Sequence, residues 1–201
     1  MVVEAVFEDR AVKAEVTRRL DAVLPEDCVL ATNTSALPIT LLAQATTRPG
    51  RFIGLHFFSP ADKMPLVEVI RGKATSDATL ARALDFVGQL KKTPIVVNDA
   101  RGFFTSRFIG AFVDDSIGMV AEGINPALIE NCARQAGMPV GPLAITDELS
   151  IELAVHAGES QAQTFPDSYR PGRSVPVLRR LFELGRMGRK IGKGFYDYGE
   201  S

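Results

Sequence analysis

Two residues that can ionise interrupt otherwise apolar stretches of this 201-residue sequence. His56 lies within the run FIGLHFF, and Glu68 lies within the run LVEVI. Burying either side chain is costly unless a partner satisfies it. If the two runs are neighbouring strands, the carboxylate can orient the imidazole and stabilise its protonated form, as in a general base. A buried pair with a purely structural role is the alternative that the spacing leaves open.

The elements that would position these residues alternate along the first half of the chain. Asp9 precedes a helical pattern with apolar residues at Val12, Val16, Leu20 and Val23, and further helices are predicted within residues 35–45 and from residue 76 or 77 to 92. Continuous apolar strands between helices indicate a mostly parallel sheet that is covered on both faces. The predicted strands span residues 2–7, 28–32, 52–58, 66–70 and 93–97.

The pattern changes near residue 100, where Arg101 and Gly102 mark a junction. A broad apolar helical stripe follows over residues 103–122, and no further strand is predicted before the C-terminus. The sequence therefore predicts an α/β domain over residues 1–100 and an all-α domain over residues 101–201.

Polar residues follow two of the predicted strands. Asn33, Thr34 and Ser35 come directly after the second strand, at the edge where open α/β sheets bind ligands, although Ser35 could instead cap the next helix. Glu8 and Lys13, which flank the start of the first helix, are interpreted as part of a solvated face. His156 is interpreted as a solvated surface histidine.

Composition excludes several classes of function. The net charge is −1, and no basic stripe points to nucleic acid. No apolar stretch approaches the length of about 18 residues that a transmembrane helix needs. The two cysteines form neither a CxxC pair nor a zinc pattern, so we expect no metal site and a reducing, cytoplasmic setting.

Several motifs occur in a characteristic order over essentially the whole chain. This order resembles the 3-hydroxyacyl-CoA dehydrogenase family, and in particular the dehydrogenase part of the multifunctional fatty-acid oxidation α-subunit. The motifs are NTS at residues 33–35, GLHFFSP at 54–60, MPLVEVIRG at 64–72, RGFF at 101–104, MPVGPLAITDEL at 138–149 and GRKIGKGFYDY at 188–198.

The resemblance implies a partial Rossmann-like NAD-binding domain and oxidation of L-3-hydroxyacyl-CoA to 3-ketoacyl-CoA in fatty-acid β-oxidation. It implies that His56 is the general base, that Glu68 orients it, and that Ser35 binds the substrate oxygen near the nicotinamide. Ser106 stands where many members have a substrate-binding Asn, and Ser59 where many have an Asn that contacts NAD. The implied cofactor contacts are Val6, Phe7, Glu8, Lys13, Ser35, Ser59 and Lys190.

The family's first βαβ unit supplies a Gly-rich loop for the pyrophosphate and an acidic residue for the ribose. This sequence contains no GxGxxG, so we expect an N-terminally truncated chain whose site is complete only in a longer parent. Two alternatives stay open, a non-catalytic fragment with a structural or dimerising role and a short-chain 3-hydroxybutyryl-CoA dehydrogenase. The implied partners are an acyl-CoA substrate and either a second copy of the chain or the thiolase subunit of a β-oxidation complex.

The first prediction concerns the chain by itself, which should bind NAD weakly or not at all. Pyrophosphate binding in such folds uses backbone N–H groups at the first βα turn, and no Gly-rich loop of that kind occurs in the sequence. Calorimetric titration with NADH tests this, and micromolar affinity would contradict it. An unpaired apolar strand edge should also cause self-association. Light scattering tests this, and a monodisperse monomer would contradict it.

Overall fold

Five short strands lie side by side in chain order in the computed structural model, which describes residues 1–164, 167 and 169–199. Neighbouring strands are parallel except for the antiparallel pair formed by the third and fourth. The prediction of a mostly parallel sheet is therefore confirmed. The strands are β1 (Val2–Glu4), β2 (Leu30–Thr32), β3 (Phe52–Phe57), β4 (Leu66–Arg71) and β5 (Thr93–Asn98).

The first two strands are shorter than the apolar runs predicted. The carboxylate of Glu4 accepts a hydrogen bond from the N–H of Val6 at 3.0 Å, so the chain leaves the sheet after Glu4. Val6 and Phe7 therefore belong to the loop after β1, and the Phe7 side chain is 80% exposed. The polar edge of the sheet begins three residues earlier than the sequence pattern predicts.

Each face of the sheet carries its own apolar core. On one face, Ile53, Leu55 and Val69 pack against Ala83 and Val87 of a flanking helix. On the other face, residues of β2, β3 and β4 pack with Ile39 and Leu42. Side chains at successive positions along a strand point to opposite faces, so the continuous apolar runs bury both sides. The prediction of a sheet covered on both faces is confirmed.

The helices of the first unit surround this sheet. Asp9 caps the first of them, because its carboxylate accepts the N–H groups of Ala11 at 2.8 Å and Val12 at 2.9 Å. They are α1 (Arg10–Val23), α2 (Ile39–Leu42) and α3 (Asp77–Gln89), with 3₁₀ turns at Ala43–Ala45 and Pro49–Arg51. The short helix expected within residues 35–45 is confirmed as α2, which continues into the first of these 3₁₀ turns.

The buried face of α1 differs from the one that apolar spacing indicates. Val12 and Val23 are exposed, whereas Lys13 and Thr17 are buried. The helix is rotated so that Lys13 reaches an acidic partner at the end of β1. The buried face of α1 thus carries the lysine of an ion pair, where apolar side chains are normally found.

The second unit begins at Phe108 and is helical, as expected for the all-α region. Its core contains Ile117, Leu143, Ile151 and Leu178. Asp147 is buried and accepts hydrogen bonds from the N–H groups of residues 195 and 196 and from the hydroxyl of Tyr198. The helices are α4 (Thr105–Ala121), which starts in the first unit, α5 (Pro126–Gln135), α6 (Pro142–Leu149), α7 (Ile151–Thr164) and α8 (Val175–Glu183).

None of the helices among the described residues is long and apolar enough to cross a membrane. The same residues contain no group of three or more His, Cys, Asp or Glu side chains that could hold a metal ion.

Gly54, two residues before His56, provides a test of the packing around β3. A Cβ atom at this position would lie 2.6 Å from Cδ1 of Ile39 and 2.9 Å from Cβ of Ile70. Gly54→Ala should therefore lower the free energy of unfolding by about 1–3 kcal/mol through overpacking. Gly88→Ala is the matched control, because Gly88 lies in α3 with no atom within 4 Å of the added Cβ.

Chemical denaturation of both variants measures the difference. The control should be neutral or more stable, since Ala is a better helix former than Gly by about 1 kcal/mol. Equal stability of the Gly54 variant and the wild type would show that this packing is looser than the distances indicate.

Candidate active site

His56 and Glu68 form a direct cross-strand pair in the antiparallel β3–β4 ladder. Nδ1 of His56 lies 2.7 Å from Oε2 of Glu68, and the residues are 6% and 0% exposed, respectively. Since opposite residues of such a ladder have neighbouring side chains, the strand register alone brings the two groups together. The structure thus places the two chemically unusual residues of the sequence in contact.

The second carboxylate oxygen of Glu68 faces the N-terminus of α4. Oε1 accepts the N–H groups of Phe104 at 3.0 Å and Thr105 at 2.8 Å. Burial raises the pKa of Glu68, but the hydrogen bonds from His56, Thr105 and Phe104 together outweigh it, so the pKa lies below its usual value. The carboxylate is therefore charged at neutral pH while its solvent exposure is zero.

The imidazole of His56 is surrounded by aromatic rings. The ring centroids of Phe58 and Phe103 lie 4.5 and 5.9 Å from that of the histidine. A carboxylate at Nδ1 favours the tautomer that carries a proton there, which leaves Nε2 with a free electron pair. Nε2 is thus the atom that can accept a proton from a bound molecule.

The loop after β2 is tied to the same part of the sheet. Oδ1 of Asn33 accepts the N–H of Phe57, the residue after His56, at 2.9 Å. Thr34 is buried, whereas Ser35 is exposed at the end of the strand. The Ser35 side chain is therefore accessible to solvent, while Asn33 and Thr34 before it are held against the sheet.

Ser35 does not cap the following helix, so that alternative is wrong. α2 begins after Pro38, and the carboxylate of Asp99 accepts the N–H groups of Ile39 and Thr40, both at 2.7 Å. A carboxylate 60 residues away along the chain supplies the cap, which frees the serine from that role.

Lys13 does not lie on a solvated face, contrary to the interpretation from spacing, whereas the Glu8 side chain stays accessible to solvent. Lys13 is 1% exposed, and its Nζ lies 3.2 Å from both carboxylate oxygens of Glu4. Glu8 is half-exposed and binds the loop that contains Ser35 through one oxygen. Glu4 is a charged residue within the first apolar run, the same sequence feature that marks Glu68, and this feature could have identified it from the sequence.

The remaining residues implied by the resemblance are all exposed. Ser59 is exposed just beyond β3, and Ser106 is exposed in the first turn of α4, next to Thr105. Lys190 is exposed on a 3₁₀ turn, Arg189–Ile191, of the second unit. The structure groups His56 with Glu68 and links the Ser35 loop to β3, whereas the roles of Ser59, Ser106 and Lys190 stay predictions.

A buried carboxylate that orients a histidine thus lies beside polar loops at the carboxyl edge of parallel strands, where open α/β sheets bind their ligands. Residues 1–100 match the model of the 3-hydroxyacyl-CoA dehydrogenase NAD-binding domain, and residues 102–198 match the model of the C-terminal domain of the same enzymes. The chain belongs to the 3-hydroxyacyl-CoA dehydrogenase family, whose members are NAD-dependent oxidoreductases.

Solved structures agree with this assignment. The (S)-3-hydroxybutyryl-CoA dehydrogenase of Ralstonia eutropha is 35% identical with a TM-score of 0.87, over 99% of this chain and 70% of that one. The 3-hydroxybutyryl-CoA dehydrogenase of Escherichia coli K12 is 32% identical with a TM-score of 0.87, over 100% and 43%. The dehydrogenase part of multifunctional enzyme 1 from C. elegans is 28% identical with a TM-score of 0.66, over 99% and 44%.

The lowered pKa of Glu68 predicts how stability depends on pH. The ionised carboxylate stabilises the folded state above the unfolded-state pKa of about 4.5, and this contribution is lost as the pH falls through the lower folded-state value. Glu68→Gln should cost about 1–3 kcal/mol at neutral pH, because the amide cannot accept all of the hydrogen bonds. Its stability should also fall less steeply than that of the wild type below about pH 4.5.

Urea unfolding at a series of pH values measures both effects. Glu26→Gln is the control. Because Glu26 is exposed, this substitution should leave the dependence of the free energy of unfolding on pH unchanged. If the free energy of unfolding changes with pH in the same way in the Glu68 variant and the wild type, the charge of Glu68 does not contribute to the stability of the folded state.

Proposed function

We propose that this chain carries out the proton-transfer part of the NAD-dependent oxidation of L-3-hydroxyacyl-CoA to 3-ketoacyl-CoA in fatty-acid β-oxidation. The observation that carries the proposal is the buried pair of His56 and Glu68, with 2.7 Å between Nδ1 and Oε2. Residues 1–100 form the NAD-binding domain and residues 101–201 the helical C-terminal domain on this proposal. The family assignment supports both.

The residues of the chain have distinct roles in this reaction. Nε2 of His56 accepts the proton of the substrate's 3-hydroxyl group, and the charged carboxylate of Glu68 stabilises the imidazolium that forms. The hydroxyl of Ser35 donates a hydrogen bond to the same substrate oxygen. The rings of Phe58 and Phe103 contact the imidazole, and apolar surroundings of this kind strengthen its interaction with Glu68.

The described residues fit the ribose and nicotinamide end of NAD. Open α/β sheets bind nucleotides beyond the carboxyl ends of their parallel strands, where Ser35 is exposed and Glu8 half-exposed. When bound, NAD supplies the acceptor for the hydrogen and the electron pair at C3 of the substrate. The proposed direct contacts are Val6, Phe7, Glu8, Ser35, Ser59 and Lys190, whereas Lys13, whose side chain is buried, is proposed to support the cofactor site through Glu8.

A second candidate substrate is the short-chain 3-hydroxybutyryl-CoA. Two 3-hydroxybutyryl-CoA dehydrogenases match at 35% and 32% identity over nearly all of the chain, and this favours a short acyl group. With either substrate, Ser106 is proposed to bind the acyl-CoA, with a shorter reach than the usual Asn. Turnover with acyl-CoA substrates of increasing length decides between the candidates.

The proposal extends to partners and compartment. A second copy of the chain, or a thiolase subunit in a β-oxidation complex, is the proposed partner, in addition to the acyl-CoA substrate. Cys28 and Cys132 are both free, which supports a reducing, cytoplasmic setting.

The role of His56 is tested by His56→Ala in the protein that carries this chain. Loss of the general base should lower kcat by about 10²- to 10⁴-fold, with a smaller change in KM for NAD. His156→Ala is the matched control, because His156 is exposed and contacts only Glu152 and Glu159 among acidic residues of the described chain. Steady-state kinetics with L-3-hydroxyacyl-CoA and NAD measure both variants.

Near-normal turnover of the His56 variant would overturn the mechanism. A wild-type protein without any turnover would instead favour the alternative that the chain is a structural or dimerising module.

A further inference from the structure

A cluster of buried charges lies beneath the loop that carries Ser35. Glu4 is 5% exposed, and Lys13 and Thr32 are buried with it. Nζ of Lys13 lies 3.2 Å from Oε1 and Oε2 of Glu4, and the hydroxyl of Thr32 donates to Oε1. Both charged groups of this cluster are thus removed from solvent, and their mutual attraction and hydrogen bonds must offset the cost of losing hydration.

The ammonium group of Lys13 also contacts the loop that follows β1. It donates to the carbonyl oxygen of Val6 at 3.1 Å, and it lies 3.5 Å from Oε2 of Glu8. Together with the contacts to Glu4, these partners use the three N–H donors of the ammonium. A direct contact from Lys13 to a cofactor would require breaking one of these interactions.

Glu8 connects Lys13 to the loop that contains Ser35. Its Oε1 accepts the Thr34 hydroxyl at 2.6 Å and the N–H groups of Ser35 at 2.9 Å and Ala36 at 3.1 Å. Burial raises the pKa of Glu8, but these hydrogen bonds and the charge of Lys13 lower it below its usual value. The backbone of Ser35 is therefore held by one charged oxygen whose position depends on Lys13.

We propose that Glu4 and Lys13 are positioning residues, which fix the Ser35 backbone through the carboxylate of Glu8. The proposal rests on the proposed function, in which the Ser35 hydroxyl binds the substrate oxygen. The uninterrupted series of contacts from Glu4 to Lys13, Glu8 and Ser35 is the observation that carries it. An error of about 1 Å in such a group can cost about 10²-fold in rate.

The experiment compares Lys13→Met with the double variant Glu4→Gln/Lys13→Met, which leaves no unpaired buried charge and keeps the test valid if the single variant fails to fold. Amide hydrogen exchange, followed by NMR, reports on Ser35 and Ala36 without requiring activity. Kinetics and NADH titration of the protein that carries this chain give kcat and Kd. Arg18→Met is the control, since Arg18 lies exposed on the same helix.

Faster exchange at Ser35 and Ala36 is expected in both Lys13 variants but not in the control. We also expect kcat to fall by about 10- to 100-fold, with Kd for NADH changed by less than about threefold. In a Ser35→Ala background, Lys13→Met should lower kcat by less than about a further threefold, because the two residues act as one unit.

Two results would overturn the proposal. Unchanged exchange at both amides would show that the Ser35 backbone does not depend on Lys13. A loss of NADH affinity of about tenfold with unchanged kcat would make Lys13 a direct cofactor contact. If the wild type lacks turnover, the proposed function fails, but the exchange measurement alone still decides whether Lys13 positions Ser35.

Discussion

The carboxylate of Glu68 is a full charge without solvent exposure, and the surrounding structure must supply all of its hydrogen bonds. Three donors do so, Nδ1 of His56 and the N–H groups of Phe104 and Thr105. The β3–β4 register brings the His56 and Glu68 side chains together, and these bonds hold the rotation of the imidazole and satisfy two backbone donors at the start of α4. The same carboxylate therefore orients the imidazole of the proposed general base and joins the sheet to the first turn of α4.

Buried or half-buried carboxylates serve the same purpose elsewhere in the described chain. Asp99 holds the start of α2, and Asp21 accepts hydrogen bonds from Thr46, Thr47 and Arg48, which join α1 to the segment before β3. Burial raises the pKa of Asp21, but its hydrogen bonds lower it well below its usual range. Side-chain oxygens thus satisfy backbone donors where the helices and strands of this chain end.

Much of the fold could be predicted from the sequence because its strands are continuous apolar runs, in which a lone His56 or Glu68 is conspicuous. The orientation of α1 could not be predicted, since apolar periodicity takes no account of an ion pair such as Glu4 with Lys13. The link from Glu8 to Ser35 joins residues 27 positions apart through a single oxygen. Such contacts depend on where loops meet in space, which local spacing does not specify.

The exact pairing of His56 with Glu68 also restricts how the gene can change in length between β3 and β4. Phe57 is opposite Val67 and Gly54 is opposite Ile70, so the hairpin is in register on both sides of the pair. A shift by one residue would turn Glu68 to the other face of the sheet, and a shift by two would move it by about 6–7 Å. Insertions and deletions are therefore tolerated only in the loop between β3 and β4, where they leave the register unchanged. The two strands themselves should evolve by substitution rather than by changes in length.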